Sequence, residues 1–201
     1  SRRGAGVAAP SVPGIPSTDP PKEPPMTGID FDCHACAATH LGTDGTRDRP
    51  WPVLSFAVPD LVLRLAPHEL RDAEITDDLC WIERPEGAEQ YVRVSMHVPI
   101  RDDPERRMEY SPWVSLAEDD VLDILDHLGD DGYRTVYPAR LASALPGYEK
   151  AGPVPVLVHS RGDLRPLIGP DPTNESPLGR DLLGGITREE AELRIRAFLL
   201  R

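Results

Sequence analysis

The chain has 201 residues, 39% of them hydrophobic, which suffices for one core of ordinary size and requires no second domain. Its 34 acidic and 22 basic residues give a formal net charge of −12, which argues against nucleic acid and membrane surfaces as partners. No apolar run approaches the ~20 residues of a bilayer span and no secretory signal is visible, so we expect a cytoplasmic protein.

Residues 1–28 are predicted to be a disordered tail. They are rich in proline and show no helical or strand period, so they offer little apolar surface to bury. Met26 is a candidate for the native start, in which case the residues before it are an upstream reading or a cloning remnant. A genuine disordered extension is the alternative. Residues 29–201 are predicted to form a single α+β domain.

The segment FDCHACAATH, residues 31–40, contains two of the three cysteines and two histidines. Cys33 and Cys36 have the Cys-x₂-Cys spacing that lets two thiolates reach one zinc ion, and His40 can supply a third ligand over the same turn. Cys80 is the candidate for a fourth ligand, although a small cysteine in a strand also serves as core filling. The segment therefore predicts a zinc-knuckle-like site.

The same segment allows predictions about His34 and about redox chemistry. His34, between the two cysteines, is predicted to point into solvent, because a knuckle directs that side chain outward. A thioredoxin-like redox pair is disfavoured, because such pairs open a helix within a βαβ pattern and none follows here.

The next elements alternate between helical and strand periods. Two short helical turns are predicted over residues 59–75, interrupted at Pro67. Residues 79–83 and 90–100 flank a turn and predict a β-hairpin with one buried face. The polar face of its second strand is a candidate ligand surface, with a plain solvated face as the alternative. This face consists of Tyr91, Arg93, Ser95 and His97.

The rest of the chain predicts more strands and two helices. A strand over residues 108–116 is followed by a helix to about residue 128, opened by a capping box of Ser115 and Glu118. Strands are predicted at 134–142 and 154–160, followed by a loop-rich stretch at 168–185. A second capping box opens the C-terminal helix, at Thr187 and Glu190.

These elements lack regular βαβ alternation. The predicted fold is therefore α+β, with a mainly antiparallel sheet, an N-terminal zinc-knuckle-like segment, a central helix and a C-terminal helix.

A series of short segments runs in one order along the chain. The first segment holds Cys33, Cys36 and His40, the second lies at 58–59, and the third holds Asp78 and Cys80. The remaining segments follow at 98–99, 113–116, 145–148, 172–174 and 185–187. The series resembles the prokaryotic domain of unknown function family 2199, whose members open with a Cys-x-x-Cys-Gly-x-x-His knuckle. The resemblance implies no established reaction, but it places all four candidate zinc ligands on recurring positions of the family.

One departure from the family concerns the knuckle itself. Ala37 stands where the family has glycine. If that residue must be left-handed, an alanine there costs about 1–2 kcal/mol.

Three functions are compatible with these features. We expect a non-catalytic module with one structural zinc that binds an unidentified protein or small molecule. A metal-dependent hydrolase at Cys33, Cys36 and His40 is the alternative, because three ligands leave a position for an activated water. No carboxylate has the spacing of a His-Glu-x-x-His general base, however. An acidic, immunity-like domain that binds a basic protein is the third possibility.

Overall fold

The structure is a computed structural model that describes residues 28–33, 36–85, 87–149, 154–162 and 164–200. Residues 1–27, which hold nearly all of the predicted tail, and His34 lie outside these ranges. None of the described helices has the length and apolar character that a bilayer span requires.

The described chain forms a small sheet, a large sheet and a few helices. The strands are β1 (Ile29–Asp32), β2 (Thr39–Thr43), β3 (Leu54–Ser55), β4 (Ala73–Ile75), β5 (Leu79–Ile82), β6 (Glu89–Arg93), β7 (Ser95–Ile100), β8 (Asp103–Ser111), β9 (Trp113–Leu116), β10 (Val136–Leu141), β11 (Pro155–Arg161) and β12 (Leu164–Gly169). The helices are a 3₁₀ turn at Val62–Arg64 and α1 (Pro67–Arg71), α2 (Glu118–Asp126), α3 (Pro177–Gly184) and α4 (Arg188–Leu199).

β1 and β2 pair with each other, and the remaining strands form one ten-stranded sheet in the order β3-β8-β7-β12-β11-β10-β9-β6-β5-β4. Only the β12–β7 and β3–β8 pairs of this sheet are parallel. The predicted α+β fold with a mainly antiparallel sheet is confirmed.

The predicted hairpin is present as β5 and β6, with Leu79 opposite Val92. The prediction that only one face of it is buried is wrong, because both faces carry buried side chains. The run at 90–100 does not continue as one strand, because it divides at Val94 and changes partners: β6 pairs with β5 and β9, whereas β7 pairs with β8 and β12. The strand predicted at 108–116 likewise divides at Pro112, which has no N–H to donate to a sheet.

Two apolar clusters lie on the large sheet. The main cluster buries the alternating side chains of the 90–100 run together with residues of α2, α3 and α4. The second cluster contains Cys80, Ile82, Tyr91 and Trp113, and the segment 56–65 packs over it. Tyr91 and Val92 are neighbours that belong to different clusters, because successive side chains of a strand point to opposite faces.

The helix boundaries differ from the predictions in three places. The capping box at Ser115 is wrong, because Ser115 belongs to β9 and α2 follows Ala117 without a side-chain cap. Pro67 begins α1 instead of interrupting a helix, as suits a residue whose N–H is not needed in the first turn. The stretch at 168–185 is not all loop, since it contains α3, whose N-cap Ser176 accepts a hydrogen bond from Gly179 N.

Of the second predicted capping box, the N-cap at Thr187 is confirmed, whereas the carboxylate of Glu190 accepts a hydrogen bond from Arg194 Nε at 2.7 Å. The hydroxyl of Thr187 accepts a hydrogen bond from the N–H of Glu190 at the start of α4. The helix then buries Ala191 and Ile195 in the main cluster.

Candidate metal centre

The β1–β2 hairpin brings three predicted ligands together. Cys33 follows β1, Cys36 lies in the turn and His40 lies in β2. The ligand atoms of these three residues lie within 4.8 Å of one another, and Cys36 Sγ is 3.2 Å from His40 Nε2. Two sulfurs in one tetrahedral zinc site are ~3.8 Å apart when each Zn–S bond is ~2.3 Å. The group is therefore close to the size of a zinc coordination shell.

The backbone of the turn explains this convergence. The N–H of Cys33 donates to the carbonyl of Ala38 at 2.9 Å, which closes the turn between the strands. Ala37 has φ of +53°, and it is the only non-glycine residue with positive φ in the described ranges. The left-handed position that the knuckle requires is thus present and carries an alanine, at a conformational cost.

Side chains of the hairpin orient the histidine and brace the strands. The rings of Phe31 and His40 stack with centroids 4.9 Å apart and planes at 10°. The carboxylate of Asp32 accepts a hydrogen bond from the hydroxyl of Thr39 at 2.7 Å, and that of Asp30 accepts one from Gly42 N at 2.6 Å. The imidazole of His40 is therefore held by a neighbouring ring while its Nε2 faces the thiol of Cys36.

The donor set determines which metal fits this group. Two thiolates and one imidazole are soft to borderline ligands, which suit zinc better than the oxygen-binding magnesium or calcium. Cys36 is exposed, whereas Cys33 and His40 are half-buried, so the group lies at the surface of the hairpin. Three protein ligands leave one position of a tetrahedron for another donor.

Cys80 lies elsewhere in the fold. It belongs to β5, pairs with Ile75 and Tyr91, and is 1% exposed within the second cluster. Burial raises the pKa of its thiol to about 11, which disfavours the thiolate that a zinc ligand must supply. The structure does not bring Cys80 to the group formed by Cys33, Cys36 and His40.

The four residues of the candidate ligand face occupy different surroundings. Tyr91 is buried in the second cluster and donates a hydrogen bond to Glu89. The guanidinium of Arg93 lies over the Trp113 ring, 4.7 Å from its centroid, and donates to the carbonyl of Ala57. Ser95 and His97 follow on β7, where His97 stands opposite Glu109. Burial lowers the pKa of His97.

Tyr91 is the one member of this face that lines the cavity of about 550 Å³ beneath the segment 60–64. Sequence analysis missed its other polar residues, among them Arg64, Ser115 and Arg140. They come from separate segments of the chain, so no spacing in the sequence indicates that they meet.

Comparison with known proteins identifies a family. The family model described as "Uncharacterized protein conserved in bacteria (DUF2199)" matches residues 32–186. This span includes the three residues of the metal group, Cys80 and the whole ten-stranded sheet. No curated protein matches the chain, and no solved structure matches it either.

Proposed function

The chain belongs to the DUF2199 family of uncharacterised bacterial proteins, and from that premise we propose that it is a non-catalytic, zinc-stabilised cytoplasmic module that binds a protein or a small molecule. One observation carries the proposal: the ligand atoms of Cys33, Cys36 and His40 lie within 4.8 Å of one another. Zinc is the proposed metal because this donor set suits it.

The size of the hairpin supports a structural role for the metal. β1 and β2 have four and five residues, and an isolated two-stranded hairpin is marginally stable in water. A zinc ion bound by Cys33, Cys36 and His40 would tie the end of β1 to the turn and to β2. Metal binding would then contribute directly to the stability of this local structure.

The position of the group supports a non-catalytic role. Catalytic sites lie in clefts that exclude water, whereas Cys36 is exposed at the turn of the hairpin. The carboxylates of Asp30 and Asp32, the nearest in sequence, accept hydrogen bonds from the hairpin itself. One feature favours the alternative of a hydrolase, namely the coordination position that three ligands leave for water.

The net charge of −12 guides the choice of partner. It supports a basic protein or a small molecule, and it disfavours nucleic acid and anionic membranes.

Metal analysis tests the proposal directly. Protein purified without a histidine tag and reconstituted with zinc is expected to hold about one equivalent per chain. Cys36→Ser and His40→Gln each remove one ligand and are expected to lower zinc content and affinity sharply. The matched controls are Cys80→Ala, in the core, and His68→Gln, on the exposed surface of α1, and both should keep full zinc. Wild-type protein with less than about a tenth of an equivalent would contradict the proposal.

A hydrolysis assay separates the two roles of the metal. Zinc-loaded wild-type protein should hydrolyse model esters and phosphoesters no faster than the zinc-containing buffer does. Zinc-dependent turnover that disappears in Cys36→Ser would replace the structural proposal with the hydrolase.

A further inference from the structure

The cavity beneath the segment 60–64 has a continuous polar floor. Tyr91 on β6, Ser115 on β9 and Arg140 on β10 stand directly opposite one another across three adjacent strands. Residues directly opposite in adjacent strands project from the same face of a sheet, so these three side chains form one row. All three line the cavity, whose volume of about 550 Å³ falls in the ~300–1,000 Å³ range of small-molecule sites.

The wall above this floor is fixed to the sheet. The N–H of Asp60 donates to the carbonyl of Ala142 at 2.9 Å, which ties the covering segment to the end of β10. Leu61 packs against the second cluster, and Arg64 closes the following 3₁₀ turn by donating to Leu61 O. The backbone of this wall is therefore fixed before any ligand arrives, and binding requires ordering only of side chains such as the exposed Arg64 and Arg140.

Three charged side chains of the cavity are available to a ligand. Arg64, Arg140 and Asp60 all line it, and none of their side chains forms an ion pair or hydrogen bond with another described residue. Glu149 also lines the cavity, and its carboxylate accepts a hydrogen bond from Gly147 N at 3.0 Å. The lining thus carries two positive and two negative groups.

Hydroxyl groups complete the polar lining. The oxygen of Ser143 accepts a hydrogen bond from Trp113 N at 2.9 Å, which leaves its O–H free to donate. Ser115 makes no side-chain hydrogen bond within the described part of the chain. Tyr91 stays a neutral phenol, because burial and the neighbouring Glu89 raise its pKa. These groups add hydrogen-bonding capacity without adding charge.

We infer that this cavity binds a small zwitterion, a free amino acid or a short peptide. The carboxylate would contact Arg64 and Arg140, and the ammonium would contact Asp60 and Glu149. Guanidinium groups match the planar geometry of a carboxylate, and each charge of the ligand would meet an opposite charge. Polyanions are disfavoured, because the two acidic side chains would repel them.

The carbon skeleton of such a ligand would lie against Leu61 and Ala142, which are apolar parts of the same lining. This inference rests on the small-molecule part of the proposed function and not on the zinc site, since the lining does not include Cys33, Cys36 or His40.

Calorimetric titration of the full chain with each proteinogenic amino acid and with dialanine tests the inference. At least one of these zwitterions should bind, and the strongest binder identifies whether a single residue or a peptide is preferred. Arg64→Gln and Arg140→Gln should each weaken that binding by about tenfold or more, because each removes a charged hydrogen-bond donor. Arg71→Gln is the matched control, since Arg71 is exposed on α1 and does not line the cavity; it should bind like the wild type.

Two analogues of the strongest binder distinguish the charges. The N-acetylated form lacks the ammonium and the amide form lacks the carboxylate, and both should bind about tenfold more weakly or worse. Asp60→Asn should weaken the parent zwitterion but leave the N-acetylated form unchanged. If the N-acetylated form bound as tightly as the parent zwitterion, the cavity would be a simple anion site and the inference would be wrong. Lack of any binding at about 10 mM would overturn the site itself.

Zinc content is measured on every sample. Failure to bind any zwitterion with a full equivalent of zinc contradicts this inference alone. Protein without zinc that still binds a zwitterion contradicts the proposed metal site alone.

Discussion

The two sheets of this protein are stabilised by different means. The β1–β2 hairpin is short, and among the residues of its strands only Ile29 and Thr43 are buried. The large sheet instead carries apolar clusters on both faces, with Trp113, Tyr110 and Met96 fully or almost fully buried. Apolar burial of this extent can stabilise the large sheet without a metal, whereas the hairpin has little apolar surface to bury.

This contrast indicates that different interactions stabilise the two sheets. The metal group lies where burial contributes least, and Ile29 attaches the hairpin to the main cluster. If zinc stabilises the hairpin and burial stabilises the sheet, then perturbing one region should leave the other largely intact.

Removal of zinc by a chelator is expected to have the largest effect, confined to the hairpin. Structural zinc contributes roughly 10–16 kcal/mol to small zinc-binding peptides, so amide protection across residues 29–43 should be largely lost. Protection in the large sheet should persist, because its clusters do not include the metal group. Hydrogen exchange read by mass spectrometry measures both. Unchanged amide exchange in the hairpin, or an equal loss of amide protection in both sheets, would contradict the separate stabilisation of the two sheets.

Leu178→Ala is expected to produce the converse result. Leu178 is 0% exposed in α3, and replacing a fully buried leucine by alanine costs about 2–5 kcal/mol of unfolding free energy. Zinc content should stay at the wild-type value, because the metal group does not involve α3. Denaturant unfolding and elemental analysis measure the two quantities. Leu183→Ala in the same helix is the control, since Leu183 is 51% exposed and its loss should cost little.

Cys80→Ser tests which region Cys80 belongs to. Placing a hydroxyl in this apolar cluster without a partner should cost about 1–3 kcal/mol, while zinc affinity stays at the wild-type value. A parallel loss of zinc affinity and thermal stability, as large as that of Cys36→Ser, would instead establish Cys80 as the fourth ligand.

The pH dependence of the same variant gives a second readout. Burial raises the pKa of Cys80 from 9.0 to about 11, so the unfolded chain releases this proton at lower pH than the folded chain does. The stability that Cys80 contributes is present below pH 9 and is lost as the pH rises towards 11. Serine does not titrate in this window, so Cys80→Ser should lose less stability than the wild type between these pH values.

The local parts of this structure could be predicted from sequence. Cys33, Cys36 and His40 lie within eight residues, so their spacing alone indicates that one turn gathers them. The buried face of the 90–100 run follows from a period of two, which is a property of any strand. In both cases the interacting groups are close in sequence, and the backbone geometry of one element settles their placement.

The parts of the structure that depend on long-range pairing could not be predicted from sequence. The division at Val94 depends on which strands pair with β6 and β7, and those partners come from distant segments. The capping box predicted at Ser115 is wrong because β9 pairs with β6 and β10 at this residue. Strand pairing therefore prevails over a local sequence that is typical of a helix N-cap. α3 was missed because Pro177 and several glycines obscure its period. The cavity is assembled from four segments, so its charges meet only in the folded chain.

Phe31→Leu is expected to weaken zinc binding modestly. Phe31 stacks on His40, and leucine keeps apolar bulk but loses the parallel ring contact. Aromatic pairs contribute about 0.5–1.5 kcal/mol beyond burial, so zinc affinity should fall by roughly two- to tenfold. Competition with a chromogenic chelator measures the affinity. Phe56→Leu is the control, since Phe56 packs on Phe198 of α4 and should leave zinc affinity unchanged. A normal affinity in Phe31→Leu would show that the ring does not orient the ligand.

Ala37→Gly is expected to strengthen the hairpin. Ala37 has φ of +53°, a conformation that costs an L-residue with a side chain about 1–2 kcal/mol and costs glycine almost nothing. Glycine also makes the unfolded chain more flexible, which offsets about 0.5–1 kcal/mol of that gain. The net result should be up to about 1.5 kcal/mol of added stability in the turn, read as slower amide exchange across 29–43 and zinc affinity raised by up to about tenfold. Ala38→Gly, one residue further on, is the matched control: Ala38 does not have positive φ, so glycine there brings only the entropic cost and should weaken both quantities. If Ala37→Gly and Ala38→Gly changed amide exchange and zinc affinity in the same direction, the left-handed conformation of Ala37 would not be what limits the stability of the hairpin.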